Sequence, residues 1–294
     1  MQHAHIIDIS AVFFRYYFAP SPEIFNNDEY EISSLISSIR WLCDARFFSS
    51  NLTVLAFDES LGTGVRHQID EDYKANRAMP TEDIIYQLAC LQQVASMLGF
   101  VVLKSSQHEA DDLIASAVSV LKDYDCVIHS RDKDLRQLLC EHVEMMDVQT
   151  NKVWDVNALW ENTQLQPKQI PDYLALMGDA SDNIIGVPGI GDKTARKLLN
   201  QFPSWPALLE AVQAGVELDV RGAKRLAGLI DEYQELVEHN LRLTQLVHDV
   251  DICAELEAVQ VFSRESYDGL LLFCQNIGVF EKLKKPLAKI EGFL

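Results

Sequence analysis

Basic charge is scarce in this 294-residue chain: 25 lysines and arginines stand against 44 aspartates and glutamates, a formal net charge of −19. A broad, nonspecific grip on nucleic acid needs a basic footprint, so any such role has to be local, built from metal-neutralised carboxylates and a few well-placed cations. Long apolar runs are missing too. No window offers eighteen uncharged apolar residues, and the opening MQHAHIIDIS has no basic stretch followed by an apolar one. Neither a membrane span nor a secretory leader is expected, which makes the expected location cytoplasmic. The six cysteines (Cys43, Cys90, Cys126, Cys140, Cys253 and Cys274) lie far apart with no C-x-x-C pair. That spacing argues against a zinc site and for buried free thiols in a reducing compartment. Low-complexity linkers and internal repeats are absent as well.

What is present is ordinary globular material, 48% hydrophobic and 23% charged, in a chain long enough for one large or two closely joined domains. To about residue 150, strand-length apolar runs (AHIIDIS, NLTVLAFDES, GFVVLKSS, DCVIHSRDKD, HVEMMDV) alternate with segments whose apolar residues recur every three to four positions. Alternation of this kind predicts an α/β fold with a mostly parallel sheet. From about residue 165 strand-like runs nearly vanish and the patterns become helical, so a helical subdomain is expected there. GTGVRHQIDEDYKANRAMP, residues 62–80, fits neither pattern and reads as a functional excursion at the active edge of the sheet.

Ligands of open parallel sheets sit beyond the carboxyl ends of the strands. Three apolar runs finish in aspartate at that point: Asp8, Asp58, and Asp132 with Asp134. Glu109, Asp111 and Asp112 open a helix after GFVVLK, and Asp179 with Asp182 lies at the junction of the two halves. Singly, each acid is explained equally well as a turn former or as a complement to a helix N-terminus. Clustered carboxylates, however, repel and raise one another's pKa unless a cation holds them together. Hard divalent ions are the expected compensation, and this many acids fits two ions roughly 4 Å apart, a geometry suited to in-line phosphodiester cleavage. Just beyond lies GVPGIGDKTA, a glycine turn leading into a helix, whose backbone N–H groups and Lys193 suit a phosphate.

These motifs together resemble the flap endonuclease and 5′-3′ exonuclease family, in the form of the N-terminal nuclease domain of bacterial DNA polymerase I. GVPGIGDKTA looks like its helix-hairpin-helix, GDASDN matches its G-D-x-S-D-N block, and FDES followed by VRHQIDEDYKANRAMP is similar to its F-D and F-R-H…Y-K-x-N-R-x-x-M-P stretch. EADD and SRDKDLRQL complete the series in family order across almost the whole chain. The family's usual glycine after the first aspartate is here Ile9, and Arg131 stands where a small residue is more common.

The resemblance implies a three-layer α/β/α PIN-like, resolvase-like nuclease core over residues 1–164 with a helical arch around 62–85, and a helical helix-hairpin-helix subdomain over 165–294. It implies that Asp8, Asp58, Glu109, Asp111, Asp112, Asp132, Asp134, Asp179 and Asp182 bind two or more Mg2+ or Mn2+ ions. Asp8, Asp58 and Asp111 would favour one ion, Asp134, Asp179 and Asp182 the other, with Asp132 between them. Lys74 and Arg77 would act on the scissile phosphate alongside Asp132, and Arg15 and Arg66 would lie on the substrate side. Tyr73 would stack on a base, or alternatively sit in the core. Gly186, Gly189, Gly191, Lys193 and Thr194 would hold duplex DNA, and the backbone carbonyls of Val187 and Ile190 would coordinate K+. The implied protein is a monomeric, structure-selective 5′ nuclease of replication and repair, acting on 5′ ends, flaps or junctions beside a DNA polymerase. Two other readings stay open: a noncatalytic DNA-binding module that uses the hairpin alone, and a metal-stabilised interaction protein.

Overall fold

The computed structural model describes residues 2–20, 22–60, 62–258 and 261–294. Its main sheet contains β1 (Gln2–Asp8), β2 (Leu52–Asp58), β3 (Val101–Ser105), β4 (Tyr124–His129), β5 (Val143–Met146) and β6 (Val153–Trp154), in the order β3-β2-β1-β4-β5-β6. The first five strands are parallel and only the two-residue β6 runs against its neighbour. The five parallel strands are the five apolar runs of the sequence. β2 is buried from Leu52 to Phe57, the continuous apolar pattern of a strand covered on both faces.

Alternation along the strands feeds two cores. Ile6, Val54 and Ile128 face a layer containing the Ala110–Val120 helix and the helices that follow residue 165. Ile7, Leu55 and Phe57 face the helices Ile9–Tyr17, Ser33–Leu42 and Glu82–Met97. The strand order reverses between β1 and β4, and the register sets Ile7 opposite both Leu55 and His129, so the strand ends are nearly level there. Such a switch point opens a crevice at the carboxyl edge.

Two features refine the expected layout. The helices after residue 165 do not form one body. Ile170–Met177, Asp192–Gln201, Trp205–Gln213, Ala223–Glu232 and Gln234–Thr244 extend the first core, whereas Arg264–Asn276 and Phe280–Ile290 return to the opposite face of the sheet. The reason is their apolar stripe: Leu283, Leu287 and Ile290, at helical spacing, join Leu35, Ile39 and Leu91 in the second core. The 62–85 segment is helical only in parts. A five-residue helix, Val65–Ile69, ends at extended Asp70, turns occupy 71–77, and the long helix begins at Glu82.

A small hairpin, β7 (Gly178–Asp179) with β8 (Ile184–Ile185), links the halves. Gly178 has φ +81°, and a side chain on Gly186 would place its Cβ 2.2 Å from the Met177 carbonyl carbon, so both glycines are fixed by this crossing. Cys43, Cys90, Cys126 and Cys274 are buried free thiols, Cys140 is half-buried, and Cys253 departs from expectation in being exposed. Among the described residues, no helix is long and apolar enough to cross a membrane.

Candidate active site

The acids come to the carboxyl edge in several ways: Asp8 and Asp58 end strands, Asp132 and Asp134 follow β4, Asp111 lies in the first turn of a helix, and Asp179 and Asp182 are brought in by the β7–β8 hairpin. Asp8 closes β1 and at once caps the following helix, accepting from Ala11 N at 3.1 Å, while Ser130 Oγ donates to its other oxygen at 2.7 Å. Burial, partly offset by those hydrogen bonds, pushes the Asp8 carboxyl up to about 6. Ile9 is fully buried and has no left-handed backbone, so glycine is not required at this position. Asp58 ends β2 and is held by Ser60 Oγ at 2.8 Å. Asp132 follows β4, where Ser130 Oγ accepts from its backbone N–H at 3.0 Å.

Asp134, Asp179 and Asp182, the trio assigned to the second ion, stand together: one oxygen from each lies within 4.8 Å of the others. Asp134 Oδ1 is buried without a hydrogen-bond partner. Burial first, then the charges of Asp132, Asp182 and Asp179, drives the Asp134 carboxyl well above the usual range. Asp111 is raised in the same way by burial, Asp132 and Asp8, and Asp132 by burial and Asp182. An all-oxygen donor set whose negative charge is only partly compensated, with an orphaned buried oxygen, fits a hard divalent cation.

Part of the compensation comes from the chain's own cations. Lys74, with left-handed φ of 55°, places Nζ 2.7 Å from Glu109 Oε1 and 3.8 Å from Asp182 Oδ2. Arg77 Nη2 is 2.5 Å from Asp182 Oδ1. Burial would raise the Glu109 carboxyl, but Lys74 and Arg66 hold it below the usual value. Lys133, passed over in the sequence, lies 2.9 Å from Asp179 Oδ2. Burial opposes that pair, yet the Lys133 and Ser181 hydrogen bonds keep Asp179 low. Ser130, Ser60 and Ser181 were missed as well; the signal for them was a serine two residues from an acid in SRDKD, DES and DAS.

Several expected residues lie elsewhere. Asp112 turns away from the acids to form a two-pronged pair with Arg66, at 2.6 and 2.8 Å. Arg66, 6% exposed, is too deeply buried to touch a substrate. Tyr73 is in the core alternative, 3% exposed, with its hydroxyl donating to Glu109 Oε2 at 3.0 Å and Asp182 Oδ2 at 3.1 Å, so it offers no face to a base. The Arg15 guanidinium bonds to the Val148 carbonyl and lies over the Tyr16 ring. In the glycine turn, Gly186 packs on Met177 and Gly178, whereas Gly189, with φ +86°, Gly191 and Lys193 are exposed and Thr194 is half-exposed at the start of the Asp192–Gln201 helix. Val187 and Ile190 bury their side chains, and the Val187 carbonyl accepts from Ile190 N at 3.0 Å.

Residues 3–164 match the family model described as 5′-3′ exonuclease, N-terminal resolvase-like domain, and residues 165–266 match 5′-3′ exonuclease, C-terminal SAM fold. A 5′-3′ exonuclease of Buchnera aphidicola is 30% identical over 253 residues, which cover 84% of this chain and 87% of that protein. DNA polymerase I of Deinococcus radiodurans is 34% identical over 253 residues; these cover 85% of this chain but only 26% of the polymerase. A solved structure of the T5 5′-exonuclease with bound zinc superposes with a TM-score of 0.68 at 24% identity, covering 94% of this chain and 98% of that one.

Proposed function

The chain belongs to the 5′-3′ exonuclease family, and from that premise we propose that it is a structure-selective 5′ nuclease that hydrolyses DNA phosphodiesters at 5′ ends, flaps or junctions. One observation carries the reading: acids at the ends of β1 and β2, just after β4, in the Ala110–Val120 helix and in the β7–β8 hairpin lie at one sheet edge, beside Lys74 and Arg77.

Asp134, Asp179 and Asp182 would hold one Mg2+ or Mn2+ ion, and Asp8, Asp58 and Asp111 another, with Asp132 and Glu109 adjoining both. Zinc in the T5 5′-exonuclease supports a divalent-ion site of this kind. Divalent ions there would ease deprotonation of the attacking water and offset charge on the leaving oxygen. Lys74 and Arg77 bind the scissile phosphate and counter the extra charge of the transition state once they leave Glu109 and Asp182. Lys133 fixes the orientation of Asp179. Gly189, Gly191, Lys193 and Thr194 anchor a duplex phosphate at the helix start, and a K+ ion on the Val187 and Ile190 carbonyls would stiffen that turn. Cleavage leaves a 5′-phosphate and a 3′-hydroxyl. The protein works as a cytoplasmic monomer alongside a DNA polymerase, a partnership supported by its likeness to about a quarter of DNA polymerase I.

A panel of end-labelled 5′-flap, nicked, blunt and single-stranded DNAs, incubated with Mg2+, Mn2+ or chelator, tests the reading. Metal-dependent release from flap and nicked 5′ ends is expected. Duplex binding without cleavage under either metal would leave a binding module instead.

A further inference from the structure

Arg66 belongs to the Val65–Ile69 helix at the foot of the excursion, and its guanidinium is fully engaged. Nε donates to the Leu243 carbonyl at 2.8 Å; Nη1 to Asp112 Oδ2 at 2.6 Å and Glu109 Oε2 at 3.2 Å; Nη2 to Asp112 Oδ1 at 2.8 Å and the Gln245 carbonyl at 3.0 Å. Asp112, 1% exposed, also accepts from Val247 N at 2.9 Å. Three parts of the molecule therefore meet on one buried pair: the foot of the excursion, the helix bearing Glu109 and Asp111, and the strap 243–247 that leaves the Gln234–Thr244 helix.

That strap and the helix it leaves are tied to the rest of the site. Thr244 Oγ1 donates to the Pro171 carbonyl at 3.2 Å, and Asn240 Nδ2 donates to the carbonyls of Ala175 at 3.0 Å and Ile185 at 2.8 Å. Pro171 and Ala175 lie on the helix that leads directly into the Gly178–Asp182 hairpin and then the glycine turn. The foot is pinned from the other side, because Val65 N donates to the Gln107 carbonyl at 2.8 Å and a Cβ on Gly64 would sit 2.8 Å from that oxygen. A planar guanidinium with every donor placed permits little rotation or slip.

We propose that the Arg66–Asp112 pair is a positioning device that sets the spacing between the duplex anchor at Gly189–Lys193 and the acids at the sheet edge, and thereby selects which phosphodiester is cut. The pair is too buried to touch DNA and acts through the elements it joins. The inference rests on the nuclease reading above.

The test uses one 5′-flap DNA, labelled at both ends, with wild type, Arg66→Lys and Asp112→Asn in Mg2+, and reads the cut position, kcat and KM, and duplex affinity without metal. Arg66→Lys keeps the charge but loses the fork, and Asp112→Asn keeps the shape but loses the charge. Both are expected to spread cutting from one main phosphodiester onto its neighbours and to lower kcat about 100-fold, the scale of an ångström of misplacement. KM and duplex affinity should stay near wild type, because the anchor itself is intact. If neither single variant folds, Arg66→Met with Asp112→Leu supplies apolar groups of similar volume, a replacement that buried ion pairs often tolerate. An unchanged cut position in whichever variant folds overturns the proposal, whatever happens to the rate. A wild type that cuts nothing overturns the nuclease reading and this proposal with it; a wild type that cuts, beside variants cutting at the same bond, overturns only this one.

Discussion

Asp111 and Asp112 follow one another in the Ala110–Val120 helix, about 100° apart around its axis. Asp112 looks toward Arg66, where each of its oxygens has a guanidinium donor and one also holds a backbone N–H. Asp111 looks toward Asp132 and Asp8, whose charges add to burial in raising its carboxyl. One acid is satisfied by the protein alone, and the other is left for something the protein does not supply. Held apart in this way, the two show that an acid's residue type and place in a motif fix its neighbourhood but not its job; the job follows from which cations of the fold already reach it.

The largest expected effects come from exchanging those roles. Asp112→Ala should destabilise the fold by about 3–5 kcal/mol, because it removes the two-pronged partner of the buried Arg66 charge and leaves only Glu109 and backbone carbonyls around it. Denaturant unfolding without metal measures it, and a loss no larger than that of an exposed aspartate would put Asp112 back among the metal acids. Asp111→Asn should do the reverse: unchanged or higher metal-free stability as repulsion is relieved, with cleavage lost. Asp132→Asn, at the centre of the same repulsion, should lower cleavage by at least about 10²–10³-fold, the scale of removing one group that offsets transition-state charge, with duplex binding retained. Near-normal turnover in either variant would show that the repelling acids are not the reactive ones.

A smaller effect separates the two kinds of acid by pH. The raised carboxyls include Asp8, at about 6 against an ordinary 3.8. Such a group holds its proton more tightly when folded, so its stabilisation is complete below the unfolded value and disappears as pH climbs through about 6. Divalent ions need the deprotonated forms. The rise in Tm on adding Mg2+ or Mn2+ should therefore be small near pH 5 and larger near pH 8. The His5–His129 pair, 2.9 Å apart, runs the other way. Burial lowers these imidazoles to about 4 and 3, so their contribution is present above the ordinary 6.5 and lost as pH falls. Metal does not touch that pair, so it cancels in the difference between metal-loaded and metal-free Tm values. An ion-induced rise that is equal at both pH values would mean the ions bind elsewhere.

The same contrast explains what could be read in advance. The parallel strands were legible because each is a separate apolar run ending near an acid, and the carboxyl-edge convention then placed Asp8, Asp58, Asp132 and Asp134 on one side. The partners of Arg66 were not legible: Leu243 and Gln245 lie 177 and 179 positions away, and they contribute backbone carbonyls, which carry no mark in a sequence. Gly186 was misjudged for a related reason. A glycine that lets a phosphate approach and one that lets another backbone approach look alike until the crossing with Met177 is seen. Two-residue strands such as β6, β7 and β8 are too short to show any period.

The smallest predicted effect concerns the one part of the site that depends on local sequence alone. Lys193 is exposed at the second position of the Asp192–Gln201 helix, beside Gly191 at its cap and Gly189 in left-handed backbone. In the proposed anchor the N–H groups of the turn would do the orienting and the lysine would add a single charge. Lys193→Ala should weaken duplex binding modestly and reduce the slope of log affinity against log salt by about one unit. Cleavage position should not move, because nothing in the Arg66–Asp112 linkage passes through this side chain. A titration of one duplex over several salt concentrations, run in parallel with cut-site mapping, separates the two. A changed slope with an unmoved cut assigns the turn to affinity and the buried pair to position, whereas an unchanged slope would mean that Lys193 meets no phosphate and that the anchor rests on backbone N–H groups alone.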